Sequence, residues 1–373
     1  MKLFYITSHR LPTTKAHGYQ IAKMCEAFTD FGLDVNLIVP NRKNPDRSCF
    51  SDYYKLRQKI KIIYLPCCDL AFIKWYFLRY WIMILTFSLS LKLFLFKNQH
   101  SEYKLYIRES LLALLVKDFI MEVHMLPDKI RWYHKWLWGR AKSFSVLTSF
   151  IKVELGNIFP NKKIIISPDG VDLNDFKIRE TKNEIRQKLN LPLDKKIILY
   201  SGSFYLYDWK GVDIALSAAG YFGDDHLFVL VGGQLEDIEK IKRGNYSNNI
   251  KLINFRPHSE VPFYQQAADV LLLPNKSGDK LSSQCTSPLK LFEYMASGNP
   301  IVASDLPSTR EILNDENSIL VEPDSAQTLS QGIKRVLSDE KLGIKLASQA
   351  KVDVQRFTWE NRARLIIENL LNQ

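Results

Sequence analysis

Cysteine is scarce and unpatterned in this chain of 373 residues: Cys25, Cys49, Cys67, Cys68 and Cys285, with no CxxC pair. An odd number without a framework excludes a disulfide-stapled scaffold, and no His/Cys cluster has zinc spacing. A reducing compartment is implied, and the expected location is cytoplasmic. The apolar run at residues 1–7 is too short for a signal peptide and reads as a first buried strand. No repeat of solenoid period and no low-complexity tract occurs. Acidic residues are in the minority, 40 against 51 Lys and Arg, for a net charge of +11. Such a surplus suits an anionic partner (a nucleoside diphosphate, acidic lipid headgroups or nucleic acid), or simply a basic soluble surface. The basic residues read as scattered and no recognition module is visible, so nucleic acid is not an expected partner. Hydrophobic content of 46% and charged content of 24% exclude a disordered chain, and the length predicts two domains.

What is present centres on residues 287–298, SPLKLFEYMASG, followed by the apolar run Ile301, Val302, Ala303. The pattern predicts a helix with Ser287 as N-cap, Pro288 at its first position and Gly298 as a left-handed terminator, then a short buried strand. A helix that opens in a loop directs unpaired N–H groups outward, a ready anion site. Glu293, one turn further on, is placed to accept hydrogen bonds from sugar hydroxyls. Together these features read as a nucleotide site.

Along the chain, strands are expected at residues 3–7, 35–39, 60–65, 104–108, 119–124, 143–147 and 164–167, and again at 197–202, 228–232, 250–254, 270–274 and 319–321. A helix at 19–31 follows the first strand, with Gly18 at its entrance, where a phosphate could approach the backbone or a plain turn could form. Strand, glycine loop, helix, strand is the opening of a doubly wound sheet. Residues 71–96 are dense in Phe, Trp, Tyr, Leu and Ile, with Lys74, Arg79 and Lys92 as charges. Their uncharged part, 80–91, falls short of the ~20 residues that span a bilayer. The stretch is either a core helix or a helix whose aromatic and basic residues rest in a membrane interface. His124 falls at the carboxyl end of a strand, where ligand residues of such sheets sit and where a structural histidine is also common. Residues 177–196 are charged and read as a connection between domains.

In this order and spacing, residues 287–305, Arg310-Glu311-Ile312, the PDGVD turn at 168–172, Lys210-Gly211 and Phe357-Thr358-Trp359 resemble the family 4 glycosyltransferases, retaining enzymes of GT-B architecture. The resemblance runs almost the full length. It implies an α/β chain of two Rossmann-like doubly wound domains facing across a cleft. The expected division is 1–175, with a C-terminal helix at 357–373 crossing back onto it, and 176–356 as the nucleotide-sugar-binding domain.

The resemblance also implies roles. Glu293 matches the glutamate that holds the ribose hydroxyls, and Leu289 and Lys290 lie where backbone N–H groups meet the distal phosphate. Lys210 matches the lysine that neutralises the leaving diphosphate. Gly18 matches the glycine loop near the diphosphate, and His124 the histidine near the transferred sugar. Ser203 stands where the family has an arginine, so Lys210 carries the diphosphate with less help or Lys276 or Lys280 substitutes. Cys285 stands where the family has its first motif glutamate, which puts the donor sugar's grip in question. The implied reaction transfers a sugar from a nucleoside-diphosphate sugar to a glycan or lipid-linked acceptor, in bacterial cell-surface polysaccharide or glycolipid synthesis. No tightly bound cofactor and no metal are expected. Membrane-surface contact through 71–96 would make the protein peripheral on the inner face of the plasma membrane. The alternatives are a GT-B sugar-nucleotide epimerase and a catalytically weakened sugar-nucleotide-binding protein.

Overall fold

The computed structural model describes the chain apart from residues 45, 47, 71–74, 205–207 and 373. The chain forms two compact units, Met1–Pro168 together with Trp359–Gln373, and Asp169–Thr358. The joint lies at 168/169, whereas the sequence reading put it at 175/176. The reason is packing: Val171, Phe176 and Ile185 are buried in the core of the second unit. Ile185 belongs to the helix Lys182–Lys188, so the supposed connection at 177–196 is part of that unit. Thr181 caps this helix, and Glu184 returns a carboxylate to the Thr181 N–H at 2.7 Å.

The first unit carries seven strands: β1 (Lys2–Ile6), β2 (Asp34–Pro40), β3 (Lys61–Leu65), β4 (Tyr103–Ile107), β5 (Phe119–Val123), β6 (Ala141–Val146) and β7 (Lys163–Ile166). All pair in parallel, in the order β3-β2-β1-β4-β5-β6-β7. Helices cover both faces of such a sheet, so its central strands are mostly apolar, as β1 (KLFYI) and β5 (FIMEV, with Glu122 as its one charge) are. The helix after β1 is Ala16–Asp30. It starts earlier than the pattern indicated, so Gly18 sits inside its first turn rather than at its entrance.

Between β3 and β4 runs the helix Tyr76–Lys97. Residues 71–74 of the aromatic stretch, with Lys74, lie outside the described residues. By length and composition, Phe77–Lys97 is long and apolar enough to cross a membrane. Yet Met83, Ile84, Phe87, Leu91 and Leu95 are buried, and the Phe94 ring meets Phe4 of β1 with centroids 5.4 Å apart. The core reading therefore holds for one face of this helix. Its opposite face, at Leu78, Leu85, Leu89, Leu93 and Phe96, is exposed. At the C-terminus, the helix Trp359–Ile366 and the turn Ile367–Leu371 pack into this unit beside Ala16–Asp30.

In the second unit, β8 (Lys196–Ser201), β9 (His226–Gly233), β10 (Ile250–Asn254), β11 (Val270–Leu273), β12 (Ile301–Ser304) and β13 (Ile319–Val321) form a parallel sheet in the order β10-β9-β8-β11-β12-β13. Each sheet thus has a point where the strand order reverses, β1/β4 in one and β8/β11 in the other. Loops leaving the carboxyl ends at such points diverge and open a crevice.

Candidate active site

In the second unit the crevice at β8/β11 is lined by the loop after β8 and by the helix Leu289–Ser297. Gly202 and Gly211 bracket the loop with φ of 138° and 65°. A Cβ on Gly211 would sit 1.8 Å from the Pro274 carbonyl oxygen, so only glycine lets the loop close against the end of β11. This closure sets Lys210, whose Nζ donates to Ser203 Oγ at 2.5 Å. Burial lowers the Lys210 pKa to about 8. Residues 205–207 of the loop lie outside the described residues.

The helix Leu289–Ser297 has Pro288, not Ser287, at its N-cap position. Ser287 is drawn away because its hydroxyl accepts the Asp169 N–H at 3.1 Å. Leu289 and Lys290 are therefore the first two helical residues, and their N–H groups have no acceptor within the helix. Lys290 Nζ is buried, has no hydrogen-bond partner and lies 3.9 Å from the centroid of the Tyr200 ring. Burial, with the charge of Lys210 added, drives the Lys290 pKa well below its ordinary value. At the far end, Gly298 terminates the helix at φ 81° and leads into β12, as the sequence pattern predicts.

Glu293, buried on this helix, accepts from His258 Nε2 at 2.8 Å and from Gln265 Nε2 at 2.9 Å. Burial alone would raise its pKa, but the charge and hydrogen bond of His258 and the Gln265 donor outweigh it, and the carboxyl is held below its ordinary range. Tyr294, next along the helix, accepts the Ser201 N–H through its hydroxyl at 2.9 Å and ties the helix to the end of β8. The structure therefore brings Ser203, Lys210, Lys290 and Glu293 into one cluster and leaves Ser287 in a joint with Asp169. Cys285 is buried in the turn Leu281–Cys285. Lys276 pairs with Asp213 at 2.9 Å and Asp208 at 3.5 Å, so its charge is already countered within the unit. His258 and Gln265 were missed by sequence reasoning, because nothing local announces that either faces Glu293.

In the first unit, His124 follows β5 at its carboxyl end. Its Nε2 lies 3.3 Å from Glu122 Oε1. Glu122 is fully buried, and accepts from Tyr5 at 2.7 Å, Gln20 at 2.9 Å and Arg362 of the C-terminal helix at 2.8 Å. Burial would raise the Glu122 pKa, but His124, Arg362 and Arg108 hold it well below the usual range. Beside it, His9 and His17 stack with ring centroids 3.9 Å apart, and His9 Nε2 meets Glu109 at 3.1 Å. Burial lowers the pKa of both rings, that of His17 to about 2, so they present neutral imidazoles. Gly18 has a packing reason: a Cβ there would lie 2.2 Å from the Tyr54 hydroxyl oxygen and 2.6 Å from Thr13. A charged residue inside an apolar strand (Glu122) and one on the buried face of an amphipathic helix (Arg362) were the available signals for this network.

Among the described residues, no group of three or more His, Cys, Asp or Glu side chains could hold a metal ion.

Residues 181–353, just under half of the chain, match the family described as Glycosyl transferases group 1. A D-inositol 3-phosphate glycosyltransferase of Corynebacterium urealyticum is 27% identical over 233 residues, 58% of this chain and 53% of that protein. The N,N'-diacetylbacillosaminyl-diphospho-undecaprenol alpha-1,3-N-acetylgalactosaminyltransferase of Campylobacter jejuni is 27% identical over 257 residues, 68% of this chain and 63% of that protein. The chain thus spans about half the length of the first curated relatives it matches. Similarity of fold extends further. Sucrose-phosphate synthase from Thermosynechococcus elongatus superposes with a TM-score of 0.78 at 19% identity, covering 98% of this chain and 97% of that one. Anabaena HepE in complex with UDP and glucose gives 0.76 at 15% identity, covering both chains completely. The fold is that of the GT-B glycosyltransferases.

Proposed function

We propose that this protein is a retaining glycosyltransferase of family 4, moving a sugar from a nucleoside-diphosphate sugar to a glycan or lipid-linked acceptor in cell-surface polysaccharide or glycolipid synthesis. The observation that carries the reading is the Lys290 Nζ, buried without a hydrogen-bond partner at the first turn of a helix. Burial disfavours its charged form, and an anion beside it favours the ammonium again. In this reading the diphosphate lies against Lys210, Lys290 and the N–H groups of Leu289 and Lys290. Glu293, held by His258 and Gln265, receives the ribose hydroxyls. As the bond from sugar to phosphate breaks, negative charge grows on the diphosphate, and the two lysines and the helix N-terminus stabilise it. The acceptor hydroxyl attacks from the face the diphosphate leaves, which retains configuration, and His124 serves the transferred sugar. The lipid-linked acceptor finds support in the name of the Campylobacter relative. It would place the protein in the cytoplasm, peripheral on the inner face of the plasma membrane.

Thermal stabilisation by a panel of nucleoside diphosphates and their sugars tests this. A ligand at about a hundred times its Kd stabilises the folded state by about 2.7 kcal/mol, a shift of roughly 5 °C or more. The expected result is such a shift with one nucleotide, lost in Glu293→Ala. A shift without sugar transfer to any acceptor would favour the weakened binding protein that Cys285 and Ser203 bring to mind. No shift with any nucleotide sinks the proposal.

A further inference from the structure

The positive charge of this chain is not scattered. Residues 70–101 and 129–153 together hold ten Lys and Arg and no Asp or Glu, which leaves forty-one basic against forty acidic residues in the remainder. The same two segments hold five of the seven tryptophans. Nearly the whole net charge of +11 therefore travels with the aromatic residues.

Topology brings the helices of the two segments to one side. The helix Tyr76–Lys97 connects β3 to β4 and the helix Trp132–Gly139 connects β5 to β6. Both connections move across the parallel sheet in the same direction, so right-handed crossovers place both helices on the same face. Both pack against the short helix Ser110–Leu114. On the first helix, Leu78, Leu85, Leu89, Leu93 and Phe96 recur at helical spacing as one exposed stripe, opposite the buried Met83, Phe87 and Leu91. On the second, Leu137 and Trp138 turn inward while Trp132 and Trp136 are 78% and 49% exposed. Lys92, Lys97, Lys129, Arg131 and Lys135 are exposed around them.

We propose that these two helices form one docking surface for an anionic lipid bilayer. The leucine and phenylalanine stripe and the indoles of Trp132 and Trp136 enter the headgroup layer, and the lysines and arginines meet lipid phosphates. The inward half of the long helix is committed to the sheet, so the helix lies flat rather than crossing. Indole rings settle at headgroup depth, and a basic rim draws them to anionic leaflets. A nucleic acid would leave the leucine stripe in water, and a second copy would bring two positive faces together. The inference deepens the reading of a lipid-linked acceptor and depends on it only for its purpose.

Co-sedimentation of the full chain with vesicles tests it, using phosphatidylcholine alone and phosphatidylcholine mixed equally with phosphatidylglycerol. Wild type should bind the anionic vesicles and leave the neutral ones. Trp132→Ser with Trp136→Ser should weaken binding by about tenfold or more, and Lys129→Gln with Arg131→Gln and Lys135→Gln should flatten its salt dependence. Melting temperatures and nucleotide-induced shifts, measured without lipid, should match wild type in all variants; this separates a failure of docking from a failure of the donor reading. Absence of binding to anionic vesicles overturns the proposal, as does unchanged binding by the tryptophan variant. Tighter binding to a DNA duplex than to vesicles would assign the surface to charge alone. A dimer seen by light scattering, lost in the tryptophan variant without any vesicle binding, would assign it to self-association.

Discussion

The two sheets end in polar clusters at equivalent places, beside the reversal of strand order, and the clusters are built on opposite terms. In the first unit a carboxylate is at the centre and is saturated: Glu122 takes Tyr5, Gln20 and Arg362, with Arg108 at 3.5 Å and His124 at 3.3 Å. Its neighbour Glu109 is likewise engaged by Thr7, Ser8 and His9. In the second unit lysines are at the centre, and among the described residues the Lys290 Nζ has no hydrogen-bond partner, with the Tyr200 ring centroid 3.9 Å away. Buried charge that is fully met holds a fold in one arrangement. Buried charge left unmet is a standing cost that a ligand removes. The contrast gives Glu122 and Arg362 an architectural part and supports the proposal of ligand binding beside Lys290.

Lys290→Met should break the symmetry most visibly. Removing one preorganised charge-stabilising group costs about 10²–10³ in turnover. At the same time the melting temperature should hold or rise, because a buried polar group without a hydrogen-bond partner is gone. Rates of diphosphate release and a thermal melt on the same preparation decide the point; a variant as unstable as it is inactive would make Lys290 structural and erase the comparison. Arg362→Met should behave in the opposite way. Breaking one partner out of a buried ion pair costs about 3–5 kcal/mol, read as an earlier first transition in urea, since a chain of two units need not unfold in one step. An Arg362→Met transition that coincides with wild type would show that Glu122 is held well enough without it.

How much of this was visible beforehand depends on how local each cause is. Gly298, Pro300 and the run Ile301, Val302, Ala303 dictate a helix stop and a strand through backbone sterics and apolar burial, and the structure has both. The helix start was misread because Ser287 answers to Asp169, more than a hundred residues earlier in the chain. Lys210-Gly211 was singled out only through the resemblance, and the clash of a Cβ on Gly211 with Pro274 shows why glycine is required there. Gly18 could be read as room for a phosphate or as a plain turn, and the closeness of Thr13 and Tyr54 gives it a packing reason. The capping pair Thr181 and Glu184 was readable and was hidden by the charged residues around it. Glu122 and Arg362 each stand out as a charge on an apolar face. That they stand out for each other is a tertiary fact with no local signature.

The finest test of the contrast is pH. With its pKa lowered to about 8, Lys210 is protonated at pH 7 and loses its proton as pH rises through 8. A bound diphosphate favours the ammonium form, so affinity must fall as the free lysine becomes neutral, by about tenfold between pH 7 and 9. Binding above pH 8 should also take up a proton, seen by calorimetry as a dependence on buffer ionisation. In Lys210→Arg the guanidinium stays charged throughout, and the profile should be flat over this range. The first unit contributes no competing slope from His9 or His17, since burial already holds both imidazoles neutral. A fall in affinity between pH 7 and 9 that persists in Lys210→Arg would place the titrating group elsewhere, and Lys210 would lose its part in the contrast.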